Sequence, residues 1–194
     1  MEKRRILISV TDKRGIEKFK ALTDLGWEII STGGTAKKLQ ELGIPCVLVE
    51  DVTGFPEMMD GRLKTLHPNI FGGILADRSQ QEHMDAIAQQ GIKPIDIVVV
   101  NFYDFDGKPG IENIDIGGPS LLRACAKNGL CTTPIVDPEY YDYVISEIQQ
   151  FGDVCIATRE TLAMKVFNYT SEYDKKIYNW MFKQEAMQKS IFLK

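Results

Sequence analysis

Histidine and cysteine are scarce in this 194-residue chain, and their scarcity removes whole classes of chemistry. His67 and His83 are the only histidines, too few for a histidine-rich metal centre. Cys46, Cys125, Cys131 and Cys155 form no C-x-x-C pair, so neither a disulfide framework nor a zinc site is indicated, and a reduced, cytoplasmic compartment fits best. No hydrophobic run approaches membrane-spanning length, and the apolar run at 6–10 is too short for a signal peptide despite the basic residues before it. Lys and Arg number 23 against 27 Asp and Glu, a net charge of −4, so binding to nucleic acid or to an acidic membrane has no electrostatic support. An anionic ligand must instead meet a local cluster of cations and backbone N–H groups. There is no Gly/Ser linker, internal repeat or low-complexity tract. What remains, 44% hydrophobic and 26% charged, is ordinary for a soluble globular protein able to bury a core.

Strand and helix signals alternate through the first two thirds. Ile6-Leu7-Ile8-Ser9-Val10, short and apolar, predicts a buried strand. Residues 15–26 carry Ile16, Phe19, Leu22 and Leu25 at near-helical spacing and end on glycine. A second strand is expected over 27–31, a second helix over 34–42 before Gly43, and a third strand over 46–49. Residues 70–75 predict a short strand, and 80–90 a helix with Met84, Ile87 and Ala88 inward. Residues 95–100 form the clearest strand signal, and a further strand is expected at Ile135-Val136. Between these two, 119–128 predicts a helix whose Pro119 suits a first turn. From Pro138 onward the periodicity is helical only: Tyr141, Val144, Ile145 and Ile148 share one face, and Leu162, Val166, Tyr169, Tyr173 and Ile177 another. The expectation is a single α/β domain over 1–194, with a parallel-sheet core to about residue 137 and C-terminal helices beyond it.

Parallel α/β sheets bind ligands beyond the carboxyl ends of their strands, and three segments fall there. Ser9-Val10-Thr11-Asp12-Lys13 follows the first strand, and Ser31-Thr32-Gly33-Gly34-Thr35 joins the second strand to its helix. Two glycines allow close backbone approach, a helix N-terminus offers unpaired N–H groups, and Lys13 supplies charge for a phosphate. Either segment alone reads equally as a turn in which Ser31 and Thr35 cap the helix. Two hydroxyl-rich segments at neighbouring strand ends favour phosphate. The G-x-x-x-x-G-K pattern of a Walker loop is absent. The third segment, Asn101-Phe102-Tyr103, places an amide and a phenol where a base or carboxamide could be read, although composition alone favours a surface aromatic. The long stretch 51–67 has no sustained period, and with Phe55, Met58, Met59 and Leu63 among its polar residues it reads as an ordered, functional loop. It carries Arg62 and Lys64, charges that alone would read as solvated. Asp115-Ile116-Gly117-Gly118-Pro119 reads as a turn into a helix on which Arg123 and Lys127 share an exposed face.

These blocks, in this order, resemble one family. With Asp60-Gly61-Arg62-Leu63-Lys64-Thr65-Leu66-His67-Pro68, Gly72-Gly73-Ile74-Leu75 and Arg123-Ala124-Cys125-Ala126-Lys127-Asn128, the chain is similar from about Ile6 to about Tyr178 to the IMP cyclohydrolase domain of the bifunctional purine-biosynthesis enzyme that also carries AICAR transformylase. The resemblance implies a methylglyoxal-synthase-like α/β sandwich. It also implies dehydrative closure of formylated AICAR to inosine monophosphate (IMP), with no cofactor and no metal. By position, Ser9, Thr11, Lys13, Ser31, Thr32, Gly33, Gly34 and Thr35 would hold the 5′-phosphate. Arg62, Thr65, Asn101, Ile116, Gly117 and Gly118 would surround the base, and the catalytic set would be Lys64, Tyr103, Asp115 and Lys127. In that assignment Asp115 takes the carboxamide proton, Tyr103, acidified by Lys127, donates to the formyl oxygen, and Lys64 completes the oxyanion site.

The resemblance also implies a homodimer. The chain departs from the family in a helix one residue shorter at 15–25, in Asp104 where proline is usual, and in a shortened stretch from there to Ile114. It ends at Lys194 where bifunctional relatives continue, which leaves open a naturally monofunctional protein, one served by a separate transformylase partner, or a domain of a longer chain. Two other functions share the fold. A methylglyoxal-synthase-type lyase would need carboxylates and a histidine by the phosphate turn, for which only His67 is available. A regulatory nucleotide-binding module would need the turn but not the set Arg62, Lys64, Tyr103, Asp115 and Lys127.

Overall fold

The computed structural model describes residues 3–59, 61–102 and 105–192. Five strands form one parallel sheet: β1 (Arg5–Val10), β2 (Glu28–Ser31), β3 (Val47–Leu48), β4 (Ile97–Asn101) and β5 (Thr133–Ile135), in the order β3-β2-β1-β4-β5. All neighbours run parallel, with Ile8 opposite Ser31 and Val10 opposite Asn101. The order reverses between β1 and β4, and at such a switch point the connections leave in opposite directions and open a crevice.

Period-2 alternation sorts the strand residues between two cores. Ile6, Ile8, Val10, Ile29, Ile97 and Val99 face Phe19, Leu22, Tyr141, Val144 and Ile148 on one side. Leu7, Ile30, Val98 and Val100 face Ile70, Ile74, Leu121, Leu122, Val166 and Tyr173 on the other. The first layer holds a 3-10 turn (Ile16–Phe19), α1 (Lys20–Asp24), α2 (Gly33–Glu41) and α7 (Tyr141–Phe151). The second holds α3 (Val49–Thr53), α4 (Pro68–Leu75), α6 (Gly117–Lys127) and α8 (Ile156–Phe192). The connection α5 (Gln81–Gln89) buries Ile87 but leaves Ala88 exposed, against the inward placement expected of it.

Residues 70–75 form helix, not the expected strand. Pro68 sits at the helix start, where its missing N–H costs nothing, and His67 Nδ1 accepts the Asn69 N–H as a cap. Ile70 and Ile74, four apart, are both buried, a spacing that six residues of mixed Ile, Phe, Gly and Leu are too few to reveal. Gly73 is required by packing, since a Cβ there would lie 2.5 Å from the Lys93 carbonyl oxygen. The loop expected over 51–67 is partly helical as well: α3 runs to Thr53 and stops at Gly54, whose φ of 66° suits glycine.

The amino-terminal edge of the sheet is closed by charge. Asp96, 5% exposed, accepts from Arg4 Nε at 2.9 Å, Arg78 Nη1 at 2.7 Å and the Arg5 backbone N–H at 2.7 Å. Satisfied on several sides, this carboxylate ties β1 and β4 together at the end opposite the crevice.

Candidate active site

A cavity of about 880 Å3 opens at the carboxyl ends of β1 and β4. Its walls come from the end of β1 (Ser9, Thr11, Lys13), the start of α2 (Thr32, Gly34, Thr35), the loop after α3 (Arg62, Lys64, Thr65), the end of β4 (Asn101), and the turn into α6 (Asp115, Ile116, Gly117, Gly118). Residues scattered over 110 positions therefore meet because strand ends and helix starts share one edge of the sheet.

One end of the cavity gathers hydroxyls, backbone N–H groups and cations. Ser9 Oγ and Thr32 Oγ1 are hydrogen-bonded at 2.8 Å, and Thr35 Oγ1 accepts the Val10 N–H at 3.1 Å and donates to the Val10 carbonyl at 2.9 Å. These bonds hold the first turn of α2 against the end of β1. No side chain caps α2, so the alternative in which Ser31 and Thr35 cap the helix does not hold. Ser31 is fully buried, donates to the Ile8 carbonyl at 2.8 Å and lines a smaller neighbouring pocket instead of this cavity. Gly33, φ 33°, borders the same smaller pocket of about 320 Å3, and Lys64 Nζ reaches to 3.0 Å from where a Cβ on Gly33 would stand. Uncapped N–H groups, two hydroxyls and the ammonium of Lys13, with that of Lys64 alongside, are the kind of groups that can receive an anion.

The other end is built around Asp115. Its Oδ1 accepts the Gly118 N–H at 2.8 Å, and its own N–H is accepted by the Tyr173 hydroxyl of α8 at 2.8 Å. Burial pushes the Asp115 carboxyl above the usual carboxylate range, while the N–H groups of Gly118 and Gly117 pull the other way without cancelling the effect. Gly118 is glycine for a steric reason, since a Cβ there would lie 2.4 Å from Asp115 Oδ2 and 3.1 Å from Val100 Cγ1. Thr65, buried, stands opposite, with Oγ1 3.2 Å from the place of a Cβ on Gly117. Ile116 is exposed at the cavity wall.

Several expected residues serve differently from their assignment. Asn101 lines the cavity, but its Oδ1 accepts from Thr11 N at 2.7 Å and Asp12 N at 2.9 Å, and its Nδ2 donates to the Asp12 carbonyl at 3.0 Å. Its amide shapes the turn after β1, which leaves little of it for a base. Lys127 is not brought to the cavity: it ends α6, about 15 Å along the axis from Gly117 at 1.5 Å per residue, and is exposed. Tyr103, with Asp104 and Asp60, lies outside the described residues. His67 is spent on the α4 cap and does not line the cavity. Among the described residues no group of three His, Cys, Asp or Glu side chains could hold a metal ion, and no helix is long and apolar enough to cross a membrane.

Three contributors escaped sequence reasoning. Glu57 pairs with Lys64, Glu112 pairs with Arg62, and Tyr173 holds Asp115. Only the first left a signal, since Glu57 and Lys64 flank a Met-Asp-Gly sequence suited to a chain reversal.

Residues 14–129 match the family described as MGS-like domain, and residues 125–194 match the family described as AICARFT/IMPCHase bienzyme. The chain is 50% identical over 195 residues to the bifunctional purine biosynthesis protein PurH of Thermoanaerobacter sp. (strain X514), covering 95% of this chain and 38% of that protein. It is 51% identical over 188 residues to the protein of the same name from Bacillus subtilis (strain 168), covering 92% of this chain and 37% of that one. This chain thus spans less than two fifths of the length of these curated relatives. A solved structure titled "Crystal structure of ForH" superposes with a TM-score of 0.83 at 34% identity, covering 91% of this chain and 98% of that one.

Proposed function

The chain belongs to the MGS-like domain family, and from that premise we propose that it is an IMP cyclohydrolase, closing the purine ring of IMP from formylated AICAR. The observation that carries the reading is the two-ended cavity, with hydroxyls, N–H groups and cations at the start of α2 and a half-buried carboxylate at the start of α6. A ribonucleotide has a phosphate at one end and the reacting heterocycle at the other. Relatives about 50% identical are named for purine biosynthesis, and the match of the last third of the chain to the AICARFT/IMPCHase family points the same way.

The reaction joins the carboxamide nitrogen to the formyl carbon of the same molecule and expels the formyl oxygen as water. Amide nitrogen is a weak nucleophile, but the step is unimolecular, so holding the two groups face to face supplies much of the rate. Asp115 is assigned to accept the proton leaving that nitrogen, a role that its raised pKa favours by making the carboxylate a stronger base. The start of α6 and the Thr65 hydroxyl are assigned to the developing oxyanion. The approach of Lys64 to Gly33 supports assigning it to the phosphate instead of the formyl oxygen. Tyr103 keeps its assignment as proton donor to the formyl oxygen. Lys127 has no part in this reading, because nothing supports its reaching the cavity of its own chain.

A homodimer completes the reading. Tyr173 packs into the core, but farther along α8 the stacked rings of Tyr178 and Phe182 are 64% and 59% exposed, supporting a second copy against this face. Turnover is the test: purified protein should convert formylated AICAR to IMP, followed by absorbance, and no conversion by folded protein overturns the reading.

A further inference from the structure

The loop after α3 reverses direction through an antiparallel bridge between Met58 and Leu63, with hydrogen bonds of 3.1 and 3.3 Å. Met59 at φ 54° and Gly61 at φ 89° supply the left-handed backbone this needs. The bridge sets the residues on either side of it, Glu57 and Lys64, next to one another, and their side chains form an ion pair in the cavity wall. The Glu57 carboxylate rests on bare glycine, with Oε1 2.9 Å from where a Cβ on Gly61 would be. Lys64 Nζ lies at the uncapped start of α2. A protein carboxylate therefore neutralises the ammonium that stands beside the hydroxyls and N–H groups at the start of α2.

We propose that Glu57 is a specificity-determining residue, an internal competitor for Lys64 that a phosphate dianion displaces and a singly charged anion does not. This rests on the phosphate-binding half of the function proposed above. A tethered carboxylate has an effective concentration on the order of millimolar, so a dilute carboxylate from solution, no better a ligand, does not replace it. A phosphate monoester brings nearly twice the charge and three acceptor oxygens, enough to engage Lys64 and the N–H groups of Gly33 and Gly34 together. The Glu57 side chain is 39% exposed and already meets water on one side, so releasing it costs little. The backbone of Lys64 is fixed by the bridged loop and its side chain is only 21% exposed, so the proposal takes its ammonium to stay in place when the pair opens.

Calorimetric titration of wild type and Glu57→Gln with inorganic phosphate, acetate, IMP and inosine tests this. Glu57→Gln should bind phosphate and IMP roughly two- to five-fold tighter, the scale of one exposed ion pair. Its preference for phosphate over acetate should narrow, with inosine unchanged. Glu57→Asp, which keeps the charge, should stay near wild type, and melting curves confirm that both variants fold. Weaker or unchanged phosphate binding by folded Glu57→Gln overturns the proposal, because the carboxylate would then be holding Lys64 in place. If wild type binds phosphate but not IMP, the ribonucleotide reading falls while the role of Glu57 stands on the phosphate titration. If wild type binds neither, both fall.

Discussion

The hydroxyl of Tyr173, deep in the long C-terminal helix, lies 2.8 Å from the backbone nitrogen of Asp115 and accepts its N–H. The helical C-terminal part is therefore a structural member of the site as well as a cover for the sheet. Tyr173 is 6% exposed and packs against Phe102 and Phe105, so its ring is fixed by the core and its oxygen is held where the turn into α6 needs it. Tyr173→Phe keeps those ring contacts but leaves the Asp115 N–H without its acceptor. We expect a stability loss of about 1 kcal/mol, the scale of one part-buried hydrogen bond, and a fall in kcat larger than any rise in KM. Chemical denaturation and steady-state kinetics on the same preparation check both.

Gly118→Ala tests the placement of the carboxylate from the other side. The backbone of Gly118 is not left-handed, so alanine meets no conformational barrier and favours the helix. Its Cβ would nevertheless stand 2.4 Å from Asp115 Oδ2, and the carboxylate must move. A folded protein with kcat reduced at least roughly ten-fold is expected, since small displacements of a reacting group are costly. Normal turnover would show that the position of Asp115 does not matter.

The raised pKa of Asp115 has a stability consequence whose sign is fixed. At pH values above the raised folded value the group is charged in both states, and the folded state alone bears the desolvation of that charge. Below the unfolded value, near 4, it is neutral in both states and the cost disappears. Asp115→Asn retains an oxygen to accept the Gly118 N–H. It should therefore melt above wild type at neutral pH, with the difference shrinking as pH falls through the folded value. Paired melting curves across that range check it, and a difference independent of pH contradicts it.

The exposed rings of Tyr178 and Phe182 on α8 lead to a dimer mass by light scattering at micromolar concentration. Tyr178→Glu should shift the protein toward monomer while leaving its helical content intact, because that ring is not part of either core, and any fall in melting temperature should be no more than the lost association accounts for. A wild-type monomer would contradict pairing through this face.

Most of the strand-and-helix alternation was legible because β1, β2 and β4 are short apolar runs bounded by glycine or polar turns, and burial on both faces writes that pattern directly into sequence. Residues 70–75 misled because six mixed apolar residues carry no decisive period, and the cap that makes them helical comes from His67 and Pro68 outside the run. That Ser9, Thr32, Lys13 and Asp115 meet at one cavity was recoverable, since strand ends and glycine-rich helix starts lie together at one edge of a parallel sheet. Asn101 was legible as a strand-end residue at the cavity but not as a scaffold for the Thr11–Asp12 turn, because spacing along a chain does not say which neighbour an amide will meet. The link from Tyr173 to Asp115 spans 58 positions and leaves no local trace at all.

We assign ring closure to the Asp115 end of the cavity, while the other end only holds the ligand. Steady-state kinetics of Asp115→Asn on formylated AICAR test it most directly, because the substitution preserves shape and the hydrogen bond from Gly118 but removes the base. The account predicts kcat lowered roughly 100-fold or more, with KM within a few-fold of wild type, the signature of a contact made only in the transition state. Near-normal kcat in a folded Asp115→Asn protein would contradict it.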